Sequence, residues 1–279
     1  MNDLAIKKMV MVDATSNIYP VQKAHQGQLE ALNDCVAEEV PIALIYNGIS
    51  HAVMLATPQD LKEFALGFSL SEGILTSAKE LYGIEIVHQE KGIELHLDVA
   101  TERFQQLKER RRSMAGRTGC GLCGAESLEQ ALRIPETLIE SSLKFDSTAI
   151  YKAHQAIQAK QQLQALTGAT HASAWVSPEG EVLMVKEDVG RHNALDKLIG
   201  AMALAETTKQ GFVLTTSRAS YEMVQKVVTA GIPMLVAISA PTGLAIRIAQ
   251  GCGLTLVGFA RSHQHVIYSH ADRILYENI

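Results

Sequence analysis

From residue 171 onward the chain alternates strand and helix, and that alternation constrains its fold more than any other feature. Residues 171–177 and 181–189 read as a hairpin turning at Pro178-Glu-Gly180. Helix 194–205, strand 212–217, helix 221–229, strand 233–239, helix 243–250 and strand 254–260 follow, then a terminal segment around 266–268. Strands alternating with helices of about ten residues specify an α/β layer with a largely parallel sheet. The runs 212–214 and 234–238 are continuously apolar, as strands are when helices cover both faces.

The first half follows another pattern. Residues 41–46 and 49–56 are β-rich runs joined by Asn47-Gly48, a strong hairpin signal. Thr57 reads as an N-cap, with Pro58 at the first helical position and Asp60 three residues after the cap. Leu61, Phe64, Ala65 and Phe68 then share a helix face that ends at Gly73. A second hairpin joins 84–88 to 93–99. With 279 residues, the chain suits two domains. The expected division is an arm with a short strand or two at 1–37, a smaller α+β domain at 38–140, and a three-layer α/β domain at 141–279 that opens on helix 147–166.

Composition narrows the function. Aromatics are 5% of residues, too few for a face that stacks single-stranded bases. The net charge of −5 gives no overall field for a polyanion, so nucleic acid is not an expected partner. No apolar run is long enough to span a membrane and no signal-peptide core opens the chain. Cytoplasmic location and reduced thiols are the expectation, because Cys35, Cys120, Cys123 and Cys252 form no disulfide framework.

Cys120 and Cys123 form a Cys-x-x-Cys pair in a basic, glycine-rich loop expected at 102–125. Arg103, Lys108, Arg110, Arg111, Arg112 and Arg117 face only Glu102 and Glu109 there. Such a pair serves as a zinc half-site, needing His171, His192 or Cys252 to be recruited singly, as a redox pair, or as a sulfur-carrying thiolate. Neighbouring cations lower a thiol pKa, and exposure lets the thiolate meet two partners in turn. The basic run favours the third chemistry, and no permanent metal is expected.

In an open α/β sheet, ligands settle beyond the carboxyl ends of the strands. Asp188 and His192 follow the 171–189 hairpin; Ser217 and Arg218 follow strand 212–217. Ser239 ends the next strand, and Phe259, Ala260, Arg261 and Ser262 end the last. Hydroxyls and arginines at helix N-termini suit a phosphate, and Phe259 suits stacking on a base. No Walker or G-x-G-x-x-G pattern is present, which disfavours ordinary ATP or NAD use.

Gly119-Cys-Gly-Leu-Cys-Gly124, Glu187-Asp-Val-Gly-Arg-His192, Ser217-Arg-Ala-Ser-Tyr-Glu-Met223 and Val257-Gly-Phe-Ala260 closely resemble the formate dehydrogenase accessory sulfurtransferases, the FdhD family. Tyr46-Asn-Gly-Ile-Ser-His51 and Gly67-Phe-Ser-Leu-Ser-Glu-Gly73 extend the likeness. The resemblance implies a sulfurtransferase that takes persulfide sulfur from a cysteine desulfurase. It passes that sulfur to the molybdenum cofactor, in its bis(molybdopterin guanine dinucleotide) form, before the cofactor enters formate dehydrogenase. It also implies a homodimer and a cytidine-deaminase-like fold for 141–279. Cys120 matches the persulfide-bearing cysteine, Cys123 its partner, and Phe259 to Gln264, which includes His263, the cofactor-binding stretch. Arg261-Ser-His-Gln264 departs from the basic, Pro/Gly-containing run common there. Deamination itself is disfavoured: Gly119 rather than proline precedes the cysteines, and no His-x-Glu opens a helix in 141–279. A cofactor-binding chaperone with no catalysis of its own is the alternative function.

Overall fold

Asn47 and Gly48 both take positive φ (43° and 81°), the twist that a two-residue hairpin turn needs. They join β3 (Val40–Tyr46) to β4 (Ile49–Ala56) in the computed structural model, which describes residues 14–115 and 134–276. The Asn47 side chain accepts the Val99 N–H at 2.8 Å and donates to the Val99 carbonyl at 3.0 Å. That pins the turn to β6 (Gly92–Val99), which with β5 (Leu81–Gln89) completes a four-stranded sheet in the order β4-β3-β6-β5. Alternate residues of β3 point inward, so Ile42, Leu44 and Tyr46 meet Phe64, Ala65 and Phe68 of α1 (Leu61–Ser71). Burying each large side chain there contributes about 1.5–3 kcal/mol.

Two local expectations for this half change. Thr57 does not cap α1, which begins three residues later behind Asp60 at φ 54°. Tertiary bonds claim Thr57 instead. Its N–H donates to Asp188 Oδ2 (3.1 Å), its hydroxyl accepts the Val189 N–H (3.2 Å), and its carbonyl accepts from Lys197 Nζ (2.9 Å). The described part of the arm is a long hairpin rather than a short strand or two. β1 (Ser16–His25) and β2 (Gln28–Ala37) pair along their full length around Gln26-Gly27.

The second sheet has six strands: β8 (His171–Val176), β9 (Val182–Asp188), β10 (Phe212–Thr215), β11 (Met234–Ala237), β12 (Thr255–Arg261) and β13 (Gln264–Ser269). Their spatial order is β13-β12-β11-β10-β8-β9. It is mixed rather than largely parallel, since only β10–β11 and β11–β12 pair in parallel. Hairpins at both margins supply two of the three antiparallel pairs, and β8–β10 is the third. The period-two alternation of strands divides the core. Trp175, Val213, Leu235 and Leu256 face α5 (Arg191–Leu204), α6 (Tyr221–Thr229) and α7 (Gly243–Gly251). Ala174, Leu214, Val236 and Val257 face Ile150, Ala153 and Ile157 of α3 (Ser147–Lys160). Helix, sheet and helix make three layers.

The expected helix 147–166 is broken at Gln161 into α3 and α4 (Gln162–Thr167). The Glu187 carboxylate explains the break: it accepts the N–H groups of Leu163 (2.9 Å) and Gln164 (2.8 Å) that a continuous helix would have used itself. α2 (Thr101–Ala115) follows β6, and β7 (Phe145–Asp146) pairs in parallel with β14 (Ile274–Leu275).

The two sheets are joined where α1 crosses α5. A methyl group at Gly67 would sit 1.7 Å from the Asp196 carbonyl oxygen, and one at Gly200 would sit 1.9 Å from that of Glu63. Only glycine lets the two backbones approach so closely. Beside the crossing, Lys226 Nζ meets Glu72 (2.8 Å), Asp196 (3.0 Å) and Ser71 Oγ (3.0 Å). Burial opposes a charge there, but Asp196 and Glu72 outweigh it and raise the Lys226 pKa.

Candidate functional site

Strands β9 to β12 all end on one edge of the six-stranded sheet, because β9 lies two antiparallel steps from β10. Beyond that edge the backbone stays extended. Ala219 and Pro241 form a single parallel bridge, the Thr242 N–H donates to the Ala219 carbonyl (3.0 Å), and the Phe259 N–H donates to the Ser239 carbonyl (3.2 Å). Segments after three different strands therefore lie side by side, bringing together the Ser217, Arg218, Ser239 and Phe259 anticipated from sequence.

Their side chains have different roles. Ser217 turns inward, its hydroxyl 3.0 Å from Thr215 Oγ1 and donating to the Arg218 carbonyl, whereas Arg218 is exposed. Phe259 adopts φ 51° at a β-bulge, a left-handed conformation costing about 1–2 kcal/mol for a residue with a side chain. That backbone turns its ring outward to 37% exposure, large for a phenylalanine, while Ala260 points into the core. Strained residues that persist are concentrated where a ligand or reaction needs them. β12 continues to Arg261, which pairs with Gln264 across a turn of Ser262 and His263. The stretch anticipated to bind cofactor is thus a hairpin tip, with Arg261, His263 and Gln264 exposed and the His263 ring 6.4 Å from that of Tyr151.

Two helices open toward this edge without a side-chain cap. Gly190 stands at the N-cap of α5 and Ser220 at that of α6, and neither side chain caps its helix; Thr242 does cap α7. Uncapped N-termini present N–H donors and the positive end of a helix dipole. His192 Nε2 lies 2.8 Å from Glu222 Oε2 and holds that carboxyl below its usual range. Arg191 Nε is buried with no hydrogen-bond partner, and no carboxylate lies within ion-pair distance of Arg191 or Arg218 among the described residues. Both guanidinium groups act electrostatically on His171, at the start of β8. Burial first, then Arg191 and Arg218, depress its pKa. A cleft of about 640 Å³ adjoins, lined by Gln158, Gln164, Thr170, His171, Thr216 and Ile238.

Asp188 and Ala260 need correction as ligand contacts. Asp188 is fully buried. Its Oδ2 accepts from Lys197 Nζ (2.6 Å) and the Thr57 N–H, while Oδ1 accepts from the Gly190 N–H and Asn193 Nδ2. It ties β4, β9 and α5 together and sets the turn from which Arg191 and His192 emerge. Burial pushes the Lys197 pKa down, against the pull of Asp188. The partner of Asp188 is Lys197, and the sequence signal for that pair is Asp196-Lys197 inside an otherwise apolar stretch of helix. His171 and Thr216 were missed as cleft residues because nothing local marks them.

Cys120 and Cys123 lie outside the described residues, as does Arg117. Of the upstream basic residues, Arg103 is committed elsewhere, to Glu80 (2.9 Å), Gln106 (3.0 Å) and Thr76 (3.0 Å). Lys108 Nζ lies over the Phe104 ring, 4.6 Å from its centre. Cys252 is buried with its thiol against the Pro135 carbonyl, at the end of α7 remote from His171 and His192 at the strand edge. These three candidates for a zinc site do not meet.

A family model described as the FdhD/NarQ family matches residues 37–275. A protein from Cupriavidus necator named "Sulfur carrier protein FdhD" is 55% identical over 94% of this chain and 91% of its own length. One of the same name from Variovorax paradoxus is 53% identical over 93% of this chain and 94% of its own. A crystal structure described as that of a formate dehydrogenase accessory protein from Desulfotalea psychrophila superposes with a TM-score of 0.72 at 23% identity, covering 94% of this chain and all of that one. With so nearly full-length a match, the chain belongs to the FdhD/NarQ family.

Proposed function

We propose that this chain is a sulfur carrier of the cytoplasm, working as a homodimer. It takes sulfur from a cysteine desulfurase and passes it to the bis(molybdopterin guanine dinucleotide) molybdenum cofactor before that cofactor enters formate dehydrogenase. One observation carries the proposal. A chain 55% identical to a protein named a sulfur carrier has, in Cys120 and Cys123, the thiols that the work requires. The strand edge supports the second half of the task. Arg191, Arg218 and two uncapped helix N-termini suit a pyrophosphate, and outward-facing Phe259 suits a guanine. The three layers of the C-terminal half support its cytidine-deaminase-like assignment.

The chemistry balances in two displacements. Cys120 thiolate attacks the terminal sulfur of a donor persulfide; the donor S–S bond breaks, its thiolate leaves with a proton, and Cys120 now carries the persulfide. Cys123 thiolate then attacks Cys120 Sγ. Hydrosulfide leaves toward the molybdenum of the bound substrate, and the electron pair that reduces it comes from forming the Cys120–Cys123 disulfide. A dithiol reductant resets the pair. Intact-mass measurement after incubation with desulfurase and cysteine tests the first displacement: the 120–123 peptide should gain one sulfur, and Cys120→Ala should gain none and fail to support formate dehydrogenase. A chain that takes up no sulfur, yet still activates formate dehydrogenase, would be a binding chaperone instead.

A further inference from the structure

At the opposite end of α5 and α6 from the strand-edge cleft lies a second cavity, of about 550 Å³. α1, α5 and α6 all end there, so it opens between the two sheets. Leu70, Ile199, Met202 and Ile232 line it with apolar surface, and Lys79 and Lys209 also contribute to the wall. Both lysines are exposed, and neither meets a carboxylate among the described residues. One acidic residue, Glu206, also contributes to the wall. Ligand sites commonly have this size and this mixture of apolar lining with a few charged groups. A basic rim is notable on a chain whose net charge is −5.

We propose that this cavity is the docking site for the sulfur-donating desulfurase, and that it receives a segment presenting an apolar side chain flanked by carboxylates. The apolar residue fills the cavity, and the carboxylates pair with Lys79 and Lys209. Position favours the donor over the cofactor. The fourteen residues of α5 place this site about 20 Å from the arginine-bearing edge, so the two ligands do not compete for space. The donor's identity rests on the sulfur-carrier assignment; the docking surface itself is tested separately.

The experiment measures binding of purified cysteine desulfurase to the full chain by surface plasmon resonance, comparing the native chain with Lys79→Glu/Lys209→Glu and with Ala230→Trp, which fills the cavity. Each variant should bind desulfurase at least about tenfold more weakly, roughly 1.4 kcal/mol, with a thermal midpoint within about 2 °C of the native chain. Native binding should weaken with salt, and less so after the charge reversal. Loading of Cys120 from inorganic polysulfide, which needs no dock, should be unchanged. Equal desulfurase affinity in all three proteins, or no binding by the native chain, overturns the docking site. If the native chain binds desulfurase but acquires sulfur from neither donor, the carrier assignment fails while loss of binding in the variants still upholds the dock.

Discussion

Charged side chains lie at the α1–α5 junction and at the strand edge, under opposite rules. At the junction Lys197, Lys226, Asp188 and Asp196 are buried and each has close partners of opposite charge or matching hydrogen-bonding capacity. At the edge no carboxylate lies within ion-pair distance of Arg191 or Arg218 among the described residues, Glu222 feeling Arg191 only at longer range; two helix N-termini go uncapped, and Phe259 is held in a strained backbone. Buried charges must be satisfied from within the fold. Groups left unsatisfied near the surface are available to something that is not part of the chain. The junction is therefore structural and the edge is the surface we propose for binding, although the Glu187–His192 segment runs through both.

The largest effect that can break this division lies at the junction. Lys197→Met should remove about 3–5 kcal/mol of stability, because it strands the Asp188 charge in the interior. Adding Asp188→Asn should recover much of the loss. Denaturant unfolding of the single and double variants checks this, and a single variant as stable as the native chain would show that the buried pair does not hold the sheets together. Next in size is Arg218→Ala, which should leave stability within about 0.5 kcal/mol and cost about 1.5–3 kcal/mol in GDP affinity, as for a hydrogen bond to a charged group. Calorimetric titration at two salt concentrations separates these outcomes. A destabilised Arg218 variant would place that arginine among the structural charges.

The difference also explains what could be read from sequence. The strand–helix alternation, the Asn47-Gly48 turn and the strand-end positions of Arg218, Ser239 and Phe259 are local patterns, and they survive in the structure. Thr57 carries a sound local signal for an N-cap, yet Asp188 and Lys197, more than 130 positions away, claim its backbone, and the Val189 N–H claims its hydroxyl. No window of sequence contains that competition. The same limit explains the mixed sheet, since the pairing of β8 with β10 is set by tertiary packing, and the break at Gln161, caused by Glu187. Cys120 and Cys123 are conspicuous only as a sequence pattern, lying outside the described residues.

Phe259→Gly sharpens the comparison by moving two quantities by different amounts. Glycine accepts φ 51° freely, and that relief of about 1–2 kcal/mol offsets much of the cost of losing a part-buried ring, so stability should change by less than about 1.5 kcal/mol. Guanine-nucleotide affinity should fall by about 1–3 kcal/mol as the stacking surface disappears. Thermal unfolding and GDP titration on the same preparation read both. If affinity holds, the strained conformation serves no ligand.

The smallest expected effect belongs to His171, which lines the cleft and feels the charge of both arginines. In the free chain burial, then Arg191 and Arg218, hold its pKa below the usual 6.5. The stability contributed by neutral His171 is present above that unfolded value and is lost as pH falls toward the depressed folded one. A pyrophosphate seated on the arginines would cancel their field and raise the His171 pKa. By reciprocity, protonating His171 would then tighten the pyrophosphate. Lower pH should thus weaken folding and strengthen binding, the second by only about two- to threefold, because exposed Arg218 acts on the ring through solvent. The phosphate's own protonation acts against this gain, so the comparison is with His171→Gln, in which only the loss should remain. Titration of the His171 ring by NMR with and without GDP gives the direct answer: a pKa that nucleotide leaves unmoved would place the anion away from Arg191 and Arg218.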